Sequence, residues 1–362
     1  MIISGLQWFL LIVGLIIACG SLLSLSQHPH WFVRGWDFAR LQSAVIIAVC
    51  AAGYSLLQQS WSWTDWLAIA FLLACLVWHL SIIVRYTPLW RQQVQPSERS
   101  SGDRTLRFAI SNVQMPNRDY DRWKSVILNE QPDTILEVET DHGWCDVLHS
   151  LKDDYPHQVF QPQDNKYGMA LISKLQLIDP EINFIVDQQY PSIHTGLRLP
   201  GGDVIQLWGV HPPPPEPIRD KSARERNAEL VIIGRDRIDR DQPTIIAGDL
   251  NDVAWSHSTR LFQRVSGMLD PRIGRGFFNS WDVNSHWRRA PLDHVFHTDH
   301  FRLRSLRRLD AVGSDHFPML IQVNYEPSAK LEQQQSSVKS DDHDEAQKKI
   351  RQQKEHGGIN SR

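Results

Sequence analysis

Three stretches of this chain of 362 residues carry no Asp, Glu, Lys or Arg: residues 2–25, Leu41–Leu57 and Trp66–Val84. No other feature limits the possible folds so strongly. Each is about 17 to 24 residues long, and about 20 apolar residues in a helix cross the roughly 30 Å hydrocarbon layer of a bilayer. A helix is the form that satisfies its own backbone polar groups there. Tryptophans 8, 31, 36, 61, 63, 66 and 90 fall mostly near the ends of these stretches, as side chains with a polar tip do at a membrane interface. The first stretch has no basic segment before it and two further apolar spans behind it, so it reads as an anchor and not as a cleaved leader. Residues 1–86 are thus expected to form three transmembrane helices.

Arginines set the expected orientation. Arg34 and Arg40 lie in the first loop, and Arg85 and Arg91 follow the third span. These two regions share one side of the membrane. The amino terminus and the second loop, Gln58–Thr64, carry no Lys or Arg, so the positive-inside rule puts the remainder of the chain in the cytoplasm. Cys19, Cys50 and Cys75 sit within the apolar spans, leaving Cys145 alone in the polar part. No disulfide within the domain is possible, and cysteine is silent on compartment. The formal net charge of −3 argues against a strong nucleic-acid field over the whole chain.

Residues 87–104 are polar and rich in Pro and Ser, and read as a linker. Residues 327–362 are rich in Gln, Lys, Asp, Glu and Ser, a composition that buries no core, and read as a disordered tail. Residues 105–326 are ample for one domain. Strands are expected at Leu106–Val113, Thr134–Val138, Gly168–Ser173, Val204–Val210, Thr244–Gly248, Asp293–His297 and Pro318–Val323. Helical spacing marks Tyr120, Trp123, Val126 and Ile127. Helices are also expected from Arg219 to Ile238, and from Ala254 to Val265 with Asp252 as its N-cap. The class is mixed α/β.

The polar residues of this domain collect at strand ends. Asn112 closes the first strand, Glu139 the second and His211 the fourth. The run Pro243-Thr-Ile-Ile-Ala-Gly-Asp-Leu-Asn251 ends the fifth with Asp249 and Asn251, which share one face if the backbone stays extended. Asp293 opens the next strand, and Ser314-Asp-His316 precedes the last. Polar groups gathered at one rim of a sheet are how open α/β folds build sites. Phosphate-ester hydrolysis needs negative charge neutralised, a water deprotonated and a leaving oxygen stabilised. Mg²⁺ takes hard oxygen ligands, for which Glu139, Asn112 and Asp315 are the candidates, and Mn²⁺ is an alternative ion. Glu137 is expected to face as Glu139 does and to form a rim salt bridge. The other histidines lack the spacing of zinc ligands. Asn117, Trp255 and Arg288 lie near these segments as candidates to line a substrate mouth.

Asn112, Glu139, Gly248-Asp-Leu-Asn251 and Ser314-Asp-His316, in this order over Leu106–Val323, resemble the endonuclease/exonuclease/phosphatase superfamily. The resemblance implies a four-layer α/β sandwich, two central sheets flanked by helices, and hydrolysis of phosphoesters with a divalent metal. It implies Glu139 as the metal ligand, although Val138 stands where a glutamine usually precedes it. It also pairs His316 with Asp293, gives Asp249 the attacking water, and puts Asn251 and His211 on the non-bridging oxygens. The expected substrate is a lipid phosphate or pyrophosphate at the bilayer to which the chain is anchored, in the manner of a bacterial inner-membrane protein. A nuclease is the alternative, with Arg272, Arg275, Arg288, Arg289 and Arg302–Arg308 as its basic surface. An inactive membrane scaffold is the third reading.

Overall fold

The structure, a computed structural model, describes residues 2–26, 28–98, 102–215 and 222–357. The chain divides into two compact units, Met1–Trp90 with Pro215–Ala223, and Arg91–Pro214 with Arg224–Arg362.

The first unit contains the three apolar helices: α1 (Ile2–Leu22), α3 (Arg40–Leu57) and α4 (Trp63–Ile83), with a short α2 (Trp31–Phe38) that hydropathy does not reveal. All three are long and apolar enough to cross a membrane, which indicates membrane association. Leu11, Ala18, Ile47, Ala51, Ile69 and Leu72 pack between them. Close approach has a visible cause: a Cβ on Gly53 would lie 2.9 Å from Leu10. Ser62 and Asp65 form a capping box that starts α4. Arg34 and Arg40, which set the expected orientation, are buried and both bind Asp37, each at 3.1 Å.

Among the described residues of the second unit the strands form two sheets. One contains β1 (Thr105–Asn112), β2 (Thr134–Val138), β3 (His157–Gln161), β4 (Met169–Ser173), β10 (Phe301–Arg308) and β11 (Met319–Tyr325), in the order β10-β11-β1-β2-β4-β3. The other contains β5 (Leu177–Asn183), β6 (Ser192–Arg198), β7 (Val204–Val210), β8 (Thr244–Asp249) and β9 (Asp293–His297), in sequence order. Each sheet has one parallel pair near its middle, β1 with β2 and β7 with β8.

Side-chain alternation explains the layers. Phe108, Ile110, Leu136 and Val138 of the first sheet meet Ile205, Leu207, Ile245 and Ala247 of the second. The residues between them face outward: Ala109 and Ile135 are covered by α5 (Tyr120–Leu128) and α6 (His142–His149) through Trp123, Ile127, Trp144 and Leu148. On the other outer face, Trp208, Ile246 and Phe296 are covered by α7 (Arg224–Ile232) and α8 (His257–Ser266). The result is the four-layer α/β sandwich expected from the sequence.

Several expectations need correction. β3, β5, β6 and β10 have too little apolar alternation to register, and β5 contains Pro180 and a register shift between Ile178 and Glu181. Arg219 lies outside the described residues; α7 starts at Arg224 and continues into a π-turn at Ile233–Arg237. Ser256, not Asp252, caps α8, accepting from the Thr259 amide. The linker is partly built into the fold. Val94 is fully buried in the central core, and at the β10 edge Leu303 accepts from the Ser97 N–H and donates its own N–H to the Gln95 carbonyl. The tail is not featureless either. Helix α9 (Asp342–Gly357) buries Ala346 and Ile350 beside α7 and α8. Arg264 grips Asp342 through both ends of its guanidinium, at 2.8 and 2.9 Å, and His257 meets Glu345 at 2.8 Å.

Candidate active site

The two parallel strand pairs end beside one another, and the site is built from those ends. In the second sheet, β8 runs against β7 until Gly248. A Cβ there would lie 1.9 Å from the Val210 carbonyl oxygen, and φ is +144°. Only glycine fits. Asp249 follows, fully buried. Asn251 does not continue the strand, because its φ of +51° turns the backbone. Its N–H donates to Asp249 Oδ1 at 2.9 Å, and its side chain, taken out of the strand's alternation by that φ, donates to the Pro212 carbonyl at 3.0 Å. The expected side-by-side projection of Asp249 and Asn251 is replaced by a turn in which the second residue orients the first.

His316 approaches from the loop before β11. Its Nδ1 lies 2.8 Å from Asp293 Oδ2 and its Nε2 3.6 Å from Asp249 Oδ2. His211 Nε2 lies 3.9 Å from the same Asp249 oxygen. Burial alone would discharge the His316 ring, but Asp293 and Asp249 outweigh it and raise its pKa to about 10. Burial lowers the pKa of His211, whose ring packs against Tyr167. Burial also raises Asp249 above the ordinary carboxylate range, against the pull of His316. At neutral pH the row thus holds an imidazolium at His316 and an uncharged His211.

The first sheet supplies the other half. Asn112 at the end of β1 donates its amide to both Asp249 Oδ2 (3.0 Å) and Glu139 Oε1 (3.1 Å). It is the joint between the halves. Glu139 lies just past the end of β2 with φ +62°, and the Met115 N–H donates to its second oxygen at 3.2 Å. Burial raises the Glu139 pKa, and the charge of Asp315 adds to the effect. Glu139 and Asp315, whose charges act on one another, offer carboxylate oxygens of the kind a hard divalent cation takes, while Asn112 turns its NH2 to Glu139 and its oxygen to the Gln114 N–H. Such an ion would be held by Glu139 and Asp315 with Asn112 beside them. Asp249, Asp293 and His316 also bring three ligand atoms within 4.8 Å. A metal there would need His316 deprotonated, since a protonated imidazole has no lone pair to give.

Glu137 is corrected. It shares the outward face of β2 with Ile135, is fully buried, and accepts from Trp123 Nε1 at 3.0 Å. It forms no rim salt bridge and does not face as Glu139 does, because the positive φ of Glu139 breaks the alternation.

The three candidates for the substrate mouth make other contacts. Asn117 donates to the Val113 and Val312 carbonyls, both at 3.1 Å, and ties two loops together. Trp255 is 2% exposed and packs against Phe277. Arg288 is exposed and bound to Asp282 at 2.9 Å. Residues missed at the sequence level include Ser314, whose hydroxyl donates to the Asn112 carbonyl at 2.7 Å and accepts from the His316 N–H. Its place in the Ser314-Asp-His316 run was a usable signal. Ser280 accepts the Asp293 N–H at 3.0 Å, and nothing local marks it.

Comparison with known proteins decides the family. The family model described as "Endonuclease/Exonuclease/phosphatase family" matches residues 109–316, more than half of the chain. The chain belongs to this family. Its members hydrolyse phosphoesters with a divalent metal, so the chain is a metal-dependent hydrolase of phosphoester bonds. Among solved structures, an endonuclease/exonuclease/phosphatase from Beutenbergia cavernae has a TM-score of 0.50 at 17% identity, covering 62% of this chain and 72% of that one. The human Nocturnin catalytic domain gives 0.48 at 17%, covering 62% and 96%. Sphingomyelinase C from Streptomyces griseocarneus gives 0.46 at 15%, covering 61% and 99%. The first of these likenesses is one of fold. No curated protein matches the sequence. Seen as a member of this family, the chain adds three apolar helices ahead of the matched region.

Proposed function

We propose that this endonuclease/exonuclease/phosphatase family member works at a membrane on the phosphate or pyrophosphate of a lipid. The observation that carries the chemistry is the row Asp293–His316–Asp249, closed by Asn112 onto Glu139. Asp249, raised by burial, accepts the proton of the attacking water. His316, kept charged by Asp293, donates to the phosphoryl oxygens as negative charge grows. Asn251 and His211 flank the same oxygens. A bound Mg²⁺, or Mn²⁺ in its place, would neutralise phosphate charge at Glu139, Asp315 and Asn112.

Two observations support a lipid over duplex DNA. The same chain carries three helices fit to cross a bilayer. At least four of the eight arginines expected to form a DNA surface are held in ion pairs: Arg272 by Asp270 at 2.8 Å, Arg288 by Asp282 at 2.9 Å, Arg302 by Glu332 at 2.8 Å, and Arg307 by Glu130. Duplex binding draws on unpaired cations. Arg85 and Arg91 after the third span, with Arg34 and Arg40, support a multi-pass protein of a bacterial inner membrane with its hydrolase on the cytoplasmic side.

The test is hydrolysis by the full chain in detergent with Mg²⁺, on a polyprenyl diphosphate and on plasmid DNA, each beside Asp249→Ala. Phosphate release from the lipid that is lost in Asp249→Ala, with intact plasmid, is the expected result. Nicking of the plasmid with intact lipid would replace the lipid reading by a tethered nuclease. Silence on both would leave an inactive scaffold.

A further inference from the structure

Helix α7 begins with Arg-Glu-Arg-Asn, a sequence that reads as a solvated face, yet the Arg226 side chain is fully buried. Placing a guanidinium in the interior is expensive, and a buried ion pair gains little stability over an apolar substitute. Its partners indicate what it serves. Arg226 Nη1 donates to the backbone carbonyl of Asn251 at 2.6 Å, and Nη2 meets Asp252 Oδ2 at 3.0 Å. Asp252 Oδ2 also accepts from the hydroxyls of Ser256 (2.8 Å) and Ser258 (2.6 Å).

A second grip holds the next peptide. His294 Nε2 lies 2.8 Å from the Asp252 carbonyl, and its Nδ1 faces Arg272 Nη2 at 2.6 Å. A guanidinium only donates, so Nδ1 accepts and the ring proton sits on Nε2, directed at the carbonyl. Arg272 is itself held by Asp270 through both oxygens, at 2.9 and 2.8 Å. The Leu250 N–H donates to the Leu292 carbonyl at 3.0 Å. The segment 250–252 is thus clamped residue by residue.

The clamp matters because of the bend it holds. Asn251 has a φ of +51°, sparsely populated by residues with a side chain though tolerated by Asn. That φ fixes how the carbonyl of Asn251 stands to its own N–H: the carbonyl goes to Arg226 while the N–H goes to Asp249 Oδ1. We propose that Arg226 is a positioning residue for hydrolysis: by fixing the Asn251 carbonyl it keeps that N–H on Asp249 and so aims the other Asp249 oxygen at the water. This rests on the catalytic reading of Asp249 given above.

The experiment measures kcat and KM of the full chain in detergent with Mg²⁺ on a chromogenic phosphodiester, with thermal melts alongside. Arg226→Gln should lower kcat by about 100-fold, the scale of a misplacement near 1 Å, with KM within about threefold. Arg226→Lys, which reaches one acceptor but not both, should recover part of the loss. Arg226→Gln strands the Asp252 charge, so Arg226→Met with Asp252→Asn removes both charges and keeps the fold measurable. That pair should melt near wild type and still lose kcat. Combined with Asn251→Ala, the losses should be less than additive, because both changes act on one bend. Wild-type kcat in the folded pair, or full additivity with Asn251→Ala, would overturn the inference. Asp249→Ala in the same assay separates the two readings: its full activity would remove the catalytic assignment and this inference with it. Its inactivity beside fully active Arg226 variants would remove this inference alone.

Discussion

The two sheets contribute in the same way to the site and yet differ in what they leave there. Each ends a parallel pair at the rim, β1 with β2 at Asn112 and Glu139, and β7 with β8 at His211 and Asp249. At the β8 end the carboxylate lies between two histidines, and the charge of His316 offsets its own. At the β2 end Glu139 takes neutral N–H donors from Asn112 and Met115, the charge of His316 helps it, and that of Asp315 opposes it. The first end has its counter-charge built into the chain. The second end shares only that charge, and on our proposal a cation completes it. On that proposal, similar backbone geometry yields a proton-handling half and a metal-holding half, joined by the forked amide of Asn112.

The largest effect should come from breaking the proton-handling half. Asp249→Ala is expected to lower turnover by about 10²–10⁴-fold, the range of a lost general base, while thermal melts change little. Wild-type turnover in a folded variant would remove Asp249 from the chemistry. His316→Gln should follow, at roughly 10²–10³-fold, because it loses a charged donor to the developing oxyanion; a change in KM alone would reassign it to binding.

Glu137 and Glu139 sharpen the contrast within one strand. Burial holds the Glu137 carboxyl far above its usual range, with Trp123 and Ser111 opposing. Burial thus favours the uncharged form, which Glu137→Gln imitates in shape and charge. Melting within about 1 kcal/mol of wild type and near-normal turnover are expected. Turnover as low as that of a Glu139 variant would show that the two carboxyls share a role.

The smallest effect concerns the tail. Burial alone would raise Asp342 and Glu345, but Arg264 and His257 lower both below their ordinary values. A depressed carboxyl contributes stability that is complete above its unfolded pKa and lost as pH falls through the folded one. Docking of α9 should therefore hold at pH 7 and weaken below about pH 4.5. Amide exchange, corrected for its intrinsic rate, should show α9 losing protection before α8; equal loss in both helices would refute separate docking.

How much of this was legible follows from where each signal resides. Asp249 and Asn251 were visible because an apolar strand ends abruptly in Gly-Asp-Leu-Asn, and the rim was visible because strands alternate. What the sequence did not reveal is where alternation stops. The positive φ of Glu139 separates it from Glu137, and that of Asn251 takes its side chain out of line with Asp249, which strand alternation does not announce. Arg226 hid in a polar helix start, since composition cannot tell a buried charge from a solvated one. The docked α9 hid for a similar reason. Ala346 and Ile350, four apart, are a thin stripe in a charged segment, and the ion-pair partners of Asp342 and Glu345 lie on α8, about 80 residues earlier in the chain.

The division of labour between the two rims is tested most directly by a Mg²⁺ titration of phosphodiester hydrolysis by the full chain, for wild type, Asp249→Ala and Glu139→Gln. Glu139→Gln should move the half-maximal Mg²⁺ concentration upward by roughly 10–100-fold and regain most of the rate at saturation. Asp249→Ala should lower the plateau and leave the midpoint in place. Midpoints displaced equally in both variants, or hydrolysis that persists unchanged with Mg²⁺ chelated, would contradict it.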